Sequence, residues 1–192
     1  MIFGFDFDNT IINYDEIFYK VALKDHLILK GLQKNKETIK KTIIKNKKIS
    51  EWKRIQSIVY SQEISSAKPN KKLISIFRFL QKKKIKFYVV SHKTKFPYSG
   101  KKINLHKVSR NWLNRNIFNK RNNLRKCKYY FEPTIKKKIL RIKKLKITHF
   151  VDDLKIIINL LPSNIKKILF KNNTFRVSLI KKLIKKDLLN SL

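Results

Sequence analysis

Two short apolar runs in this chain each end in a pair of carboxylates, and nothing else in the sequence constrains the fold as tightly. The first is M-I-F-G-F-D-F-D-N-T, Met1 to Thr10, in which the β-prone residues Ile2, Phe3, Phe5 and Phe7 lead into Asp6 and Asp8. The second is I-T-H-F-V-D-D, 147–153, which closes on Asp152 and Asp153. A buried strand that delivers carboxylates at its C-terminal end is where an open α/β sheet places its chemistry. Period-two geometry sends Asp6 and Asp8 to one face if the first strand continues that far. Carboxylates held so close repel unless a cation or a shared proton relieves them, so the pair points to a metal site or an acid/base pair.

Composition strengthens the inference. Only 12 Asp and Glu stand against 48 Lys and Arg, a net charge of +36, and four of those 12 acids are the two pairs. Surface solvation does not account for acids gathered this way in so basic a chain. The positive charge itself is spread over almost every predicted helix and accompanies no nucleic-acid-binding motif. It reads as a compositional drift toward Lys, Asn and Ile, with weak, salt-sensitive and non-specific polyanion binding as its physical consequence.

At 192 residues with 42% hydrophobic content, the chain can bury a substantial core, and one domain with an insertion is the natural expectation. The single Cys127 excludes an intramolecular disulfide and a cysteine-based zinc site, and fits a reducing compartment. The N-terminus lacks a basic segment followed by a long apolar one, and no apolar stretch approaches the roughly 20 residues that span a bilayer. The expectation is a soluble, cytoplasmic protein with no membrane partner.

Along the chain, Asn13 or Asp15 can cap a helix carrying Ile17, Phe18, Val21 and Ala22. Further helical patterns run from Lys36 to Asn46 and around Trp52, Ile55, Ile58 and Val59, with breaks at Gly31 and near Asn46. Residues 13–67 are therefore expected to form a helical insertion over the end of the first strand. After Pro69, strands alternate with helices. An amphipathic helix over 70–84 precedes the β-rich run I-K-F-Y-V-V-S-H, 85–92. A loop with turn residues at 96–100 leads to a helix capped by Asn104, with Leu105, Val108, Trp112 and Leu113 inward. K-Y-Y-F, 128–131, reads as a short strand, and Pro133 and Thr134 open a helix with Ile135, Ile139, Leu140 and Ile142 inward. The second acidic strand, a short helix over 154–160, a strand over 167–170 and a closing helix over 177–189 complete the pattern. Such alternation argues for a parallel sheet covered on both faces.

Four elements thus occur in a fixed order: D-F-D-N-T at 6–10, Ser91 at a strand end, the lysines 136–138 early in a helix, and Asp152-Asp153 at another strand end. This ordered set resembles the haloacid dehalogenase (HAD) superfamily of phosphotransferases. The segments S-H-K-T, P-Y-S-G, L-H and W-L between Ser91 and Leu113, and F-E-P-T-I-K-K-K and F-V-D-D-L between Phe131 and Leu154, are similar to a small-phosphatase-like subgroup of uncertain substrate. The likeness covers most of the chain to about residue 175 and is weakest in the helical insertion.

The resemblance implies an α/β, Rossmann-like three-layer parallel sheet with a small helical cap. Residues 1–12 and 68–192 would form the core and 13–67 the cap. It further implies a Mg²⁺-dependent phosphatase acting on a small phosphorylated metabolite through an aspartyl-phosphate. Asp6 is then the nucleophile, and Asp8 protonates the leaving oxygen and later activates water. Expected Mg²⁺ ligands are the Asp6 carboxylate, the Asp8 backbone carbonyl and Asp152, with Asp153 either a direct ligand or a partner of the ligands. Thr10, Ser91, His92 and the lysine of the third motif attend the phosphate. Alignment on Phe131 and Thr134 selects Lys138 for that lysine, with Lys137 the nearest rival and Lys136 also in the cluster. Charge alone favours a nucleotide or nucleic-acid-end phosphatase, and a non-catalytic binding protein of the same fold is the alternative from another class. A response-regulator receiver would need a central phospho-acceptor Asp after its third strand, which K-Y-Y-F does not supply.

Overall fold

A computed structural model describes residues 1–46 and 48–189. Its centre is a five-stranded, all-parallel sheet in the order β5-β4-β1-β6-β7. These strands are β1 (Ile2–Phe5), β4 (Lys86–His92), β5 (Tyr129–Glu132), β6 (His149–Asp152) and β7 (Lys166–Leu169). The N-terminal run takes the central position because it is apolar on both sides. Phe3 pairs with Phe87 of β4 and His149 of β6, and Phe3 and Phe5 are wholly buried.

The two faces of β1 meet different layers. Phe3 and Phe5 point into a core with Phe77, Leu80, Trp112 and Ile184, contributed by α4 (Lys71–Lys82), α5 (Leu105–Asn116) and α8 (Val177–Leu189). The opposite face packs Val90, Phe150, Ile142 and Ile157 with α6 (Ile135–Lys144) and α7 (Lys155–Leu160). Gly4 faces this second layer, and an added Cβ would lie 2.5 Å from the Phe150 ring and 2.8 Å from Ile147 Cδ1. Only a residue without a side chain lets β6 close against β1 there. The three layers are those expected of an α/β sheet covered on both sides.

A second, antiparallel pair joins β2 (Ile12–Asn13) to β3 (Lys68–Pro69), which short polar runs did not reveal in the sequence. The Asn70 N–H donates to the Ile11 carbonyl at 2.8 Å and continues the pairing. Between these strands lie α1 (Asp15–Lys24), α2 (Lys36–Lys45) and α3 (Ile49–Ser61), followed by a short 3₁₀ turn. They pack through aromatic rings: Phe18 stacks on Trp52 at 5.1 Å and Tyr14 meets Tyr60 edge-on at 4.9 Å.

Helix starts follow side-chain chemistry. Asn35, Asn70, Asn104 and Thr134 each accept a backbone N–H from the first turn of α2, α4, α5 and α6. The first helix differs from expectation. Neither Asn13 nor Asp15 caps it; Tyr14 occupies the N-cap position, and Asn13 Oδ1 accepts the Asp15 N–H instead. On α6, Leu140 is exposed rather than inward, because the helix turns its Lys138 and Ile142 side to the sheet. No helix among the described residues is long and apolar enough to cross a membrane.

Candidate active site at the carboxyl end of the sheet

β1 ends at Phe5, so the period-two condition for Asp6 and Asp8 is not met. Asp6 still extends the sheet by one bond, its N–H donating to the Val151 carbonyl at 2.9 Å. The chain then turns sharply. The Ile11 and Ile12 N–H groups both donate to the Phe7 carbonyl, and Asn9 sits in the left-handed region at φ +55°. Asp6 is thereby held in the sheet while Asp8 stands on the turn, and both line one cavity of about 190 Å³.

Asp6 is 4% exposed and its Oδ1 is held twice, by Ser91 Oγ at 2.9 Å and by Lys138 Nζ at 2.5 Å. Its Oδ2 has no hydrogen-bond donor among the described residues. Ser91 arrives from β4, the strand beside β1. Lys138 arrives from the first turn of α6, is 1% exposed, and also donates to Asp152 Oδ2 at 2.6 Å. Lys136 and Lys137 are exposed. The other Asp152 oxygen accepts the Leu154 N–H at 2.9 Å. Oxygens of Asp6, Asp152 and Asp153 all lie within 4.8 Å of one another. Thr10 is wholly buried with its Oγ1 unpartnered, and its side chain does not line the cavity. His92 does line it, with Nε2 3.2 Å from the Pro133 carbonyl.

No protein-family model matches the sequence, and no curated protein matches it. Comparison with solved structures is informative. A HAD-superfamily hydrolase from Ehrlichia chaffeensis superposes with a TM-score of 0.51 over 95% of this chain and 97% of that one, at 18% identity. The chain has the HAD fold. A HAD hydrolase of family IA, variant 3, from Entamoeba histolytica HM-1:IMSS gives a TM-score of 0.47 at 13% identity, over 96% and 99% of the two chains, and the assignment rests on the first.

Within this HAD fold, crowding sets the charge states. Burial raises the Asp6 carboxyl well above the ordinary range; Lys138 opposes the rise, and Asp152, Asp153 and Asp8 add to it. Burial, then Asp152, pushes Asp153 up to about 7, against Lys36 and Lys138. Burial disfavours the Lys138 ammonium, but Asp6 and Asp152 outweigh that and hold it charged. One lysine thus serves two buried carboxylates, and the acids remain under-compensated.

Four further residues surround Asp8 and Asp153, none of them singled out by the sequence. Lys93, 4% exposed, places Nζ 3.0 Å from Asp8 Oδ1 and 2.9 Å from Oδ2. The buried Tyr14 donates its hydroxyl to Asp8 Oδ1 at 2.8 Å. Lys36 and Tyr60 line the cavity from α2 and α3. Lys93 follows Ser91 and His92 directly, so its place at a strand end was a usable signal. Lys36 and Tyr60 offered none, because their approach depends on how α2 and α3 fold back.

A larger cleft lies elsewhere. About 1060 Å³ in volume, it lies at the opposite end of β4, with Arg78, Lys84, Lys86, Arg121, Arg125 and Lys128 among its walls and no acidic residue. It contains none of the carboxylates on which chemistry would depend.

Proposed function

We propose that this protein is a Mg²⁺-dependent phosphatase that hydrolyses a small phosphomonoester. One observation carries the reading. Asp6 stands at the carboxyl end of the central strand, with Oδ1 fixed by Ser91 and Lys138 and Oδ2 without a donor among the described residues, while Asp8, on the adjoining turn, has a separate set of partners. Two carboxylates in different surroundings can take different roles.

Asp6 attacks the phosphorus. A P–O bond to Asp6 forms as the bond to the leaving oxygen breaks, and Asp8 delivers its proton to that oxygen, which departs as an alcohol. Water then attacks the aspartyl-phosphate and gives a proton to Asp8. Inorganic phosphate leaves, and Asp6 is restored as a carboxylate. Ser91 and Lys138 hold the nucleophile and donate toward the phosphoryl oxygens, where charge builds in the transition state. His92, on the same wall, is a further phosphate contact.

The donors present suit Mg²⁺. Asp6, Asp152 and Asp153 offer oxygen ligands close to one another, and burial pushes Asp6 and Asp153 toward protonation, which a hard divalent ion would relieve. With the Asp8 carbonyl as a further ligand, the bound ion would neutralise phosphoryl charge. Residues 13–67 act as the cap over this site, and 1–12 with 68–192 as the core. An unpaired Cys127 suits a reducing compartment such as the cytoplasm.

The test is hydrolysis of a generic aryl phosphate. Activity should require Mg²⁺, stop on chelation, and vanish in Asp6→Asn while the circular dichroism spectrum is unchanged. Turnover that survives Asp6→Asn sinks the mechanism.

A further inference from the structure

The cap side of the cavity has a chemistry of its own. α2 and α3 contribute Lys36, Gln56 and Tyr60 to its lining, a cation, an amide and a phenol, with no aliphatic side chain among them. The cavity, of about 190 Å³, is small.

Three lysines line this space, and two are committed. Lys138 is shared by Asp6 and Asp152, and Lys93 is held against Asp8. Lys36 forms no direct ion pair among the described residues. Its backbone is pinned by a 3.0 Å bond from its N–H to Asp15 Oδ1 in the first turn of α2. Its Nζ is half-enclosed by aromatic walls, 5.7 Å from the Tyr60 ring centre and 5.8 Å from that of Phe18. Burial lowers its pKa, but Tyr60, Asp153 and Asp8 more than offset that, so it stays an ammonium. A charged head group held partly out of water, with no carboxylate of the described residues within ion-pair distance, is placed to receive an anion.

We propose that the leaving group of the substrate carries a second anionic group, a carboxylate or a second phosphate, held by the Lys36 ammonium with Gln56 and Tyr60 beside it. The inference rests on the phosphatase reading for its chemistry, though not for its binding. It narrows the substrate to a short, doubly anionic phosphomonoester and separates it from neutral sugar phosphates and apolar esters. Lys36 is on this account a specificity residue, remote from the bonds that change.

Three probes of similar length test it in Mg²⁺ at 0.15 M salt: glycerol 3-phosphate, glycerate 3-phosphate and propane-1,3-diol bisphosphate. The wild type should prefer at least one doubly anionic probe over glycerol 3-phosphate by tenfold or more in kcat/KM, and which one it prefers identifies the second group. Lys36→Met should erase that preference by raising KM for the anionic probe tenfold or more beyond any change for glycerol 3-phosphate. Lys36→Arg should restore part of it. Equal use of all three probes by the wild type overturns the proposal, as does Lys36→Met lowering every rate alike. If nothing is hydrolysed, the phosphatase reading fails, and calorimetric titration with the same probes still decides the binding. Tighter binding of a doubly anionic probe that is lost in Lys36→Met sustains it, and equal binding ends it.

Discussion

Replacing Lys138 with Met removes one positive charge from a place where two negative ones depend on it. Lys138 Nζ lies 2.5 Å from Asp6 Oδ1 and 2.6 Å from Asp152 Oδ2, and all three side chains are at most 6% exposed. Breaking a buried ion pair by deleting one partner costs about 3–5 kcal/mol, because the surviving charge is left without compensation. The upper part of that range applies at pH 8. At lower pH the raised Asp6 carboxyl can take up a proton and soften the loss. For a chain of this length the shift in Tm is about 2–4 °C per kcal/mol, so the variant should melt about 6–20 °C below the wild type. Circular dichroism melts in EDTA measure this. Lys137→Met is the control, since Lys137 is the exposed neighbour and should change stability by less than about 0.5 kcal/mol. Mg²⁺ should then stabilise Lys138→Met more than the wild type, because an ion that binds only the folded state contributes in proportion to its affinity, and the variant lacks the competing ammonium. Equal melting of Lys138→Met and Lys137→Met in EDTA at pH 8 refutes the reasoning.

The metal-free protein should also lose stability as pH rises through neutrality. Asp153 is raised from 3.8 to about 7, so the folded state keeps its proton where the unfolded chain has released it. The resulting stability is complete below about pH 4 and is lost as pH passes about 7, with an upper limit of roughly 4 kcal/mol. Urea melts of the wild type against Asp153→Asn in EDTA isolate this from other groups, such as His149, and a wild type that gains on Asp153→Asn between pH 5 and 8 contradicts it. Gly4→Ala tests the sheet itself. A Cβ 2.5 Å from the Phe150 ring should cost about 1–3 kcal/mol, read as a fall in Tm, and an unchanged melt shows that β1 and β6 are less closely apposed than described.

Much of the core was legible because its signals are local. Apolar runs bounded by Pro, Asn and Thr marked the strands of the main sheet, and Asn104 and Thr134 announced their helices by the chemistry that caps them. The β2–β3 pair was hidden, since two residues on each side carry no periodicity and the pairing spans the whole of α1–α3. In the site, the order of D-F-D-N-T, Ser91, the lysine cluster and Asp152-Asp153 identified residues that the fold brings to one end of the sheet. Helix phase then distinguishes Lys138 from Lys136 and Lys137, which periodicity alone left open. Lys93 and Tyr14 escaped notice because one basic residue among 48 Lys and Arg carries little information, and a tyrosine looks like core until its hydroxyl is seen to meet Asp8.

The extreme charge of the chain takes on a different meaning at this end of the sheet. With 48 cations and 12 acids overall, a cluster of four carboxylates should be easy to neutralise, yet Asp6 and Asp153 remain pushed toward protonation. Burial is the main cause, and screening and reach keep the distant lysines from offsetting it. Most lysines lie on solvent-exposed helix faces, where water and salt weaken their field beyond about 8–10 Å. Among the described residues, only Lys36, Lys93 and Lys138 of the lysines line the cavity and act through low dielectric. The basic cleft at the far end of β4 adds nothing to the balance at the carboxylates. Bulk charge and site charge are therefore decoupled, and +36 can drift with composition while the site keeps a local deficit of positive charge. That deficit is what a divalent cation would fill, and of the three cavity lysines Lys36 makes no direct ion pair among the described residues.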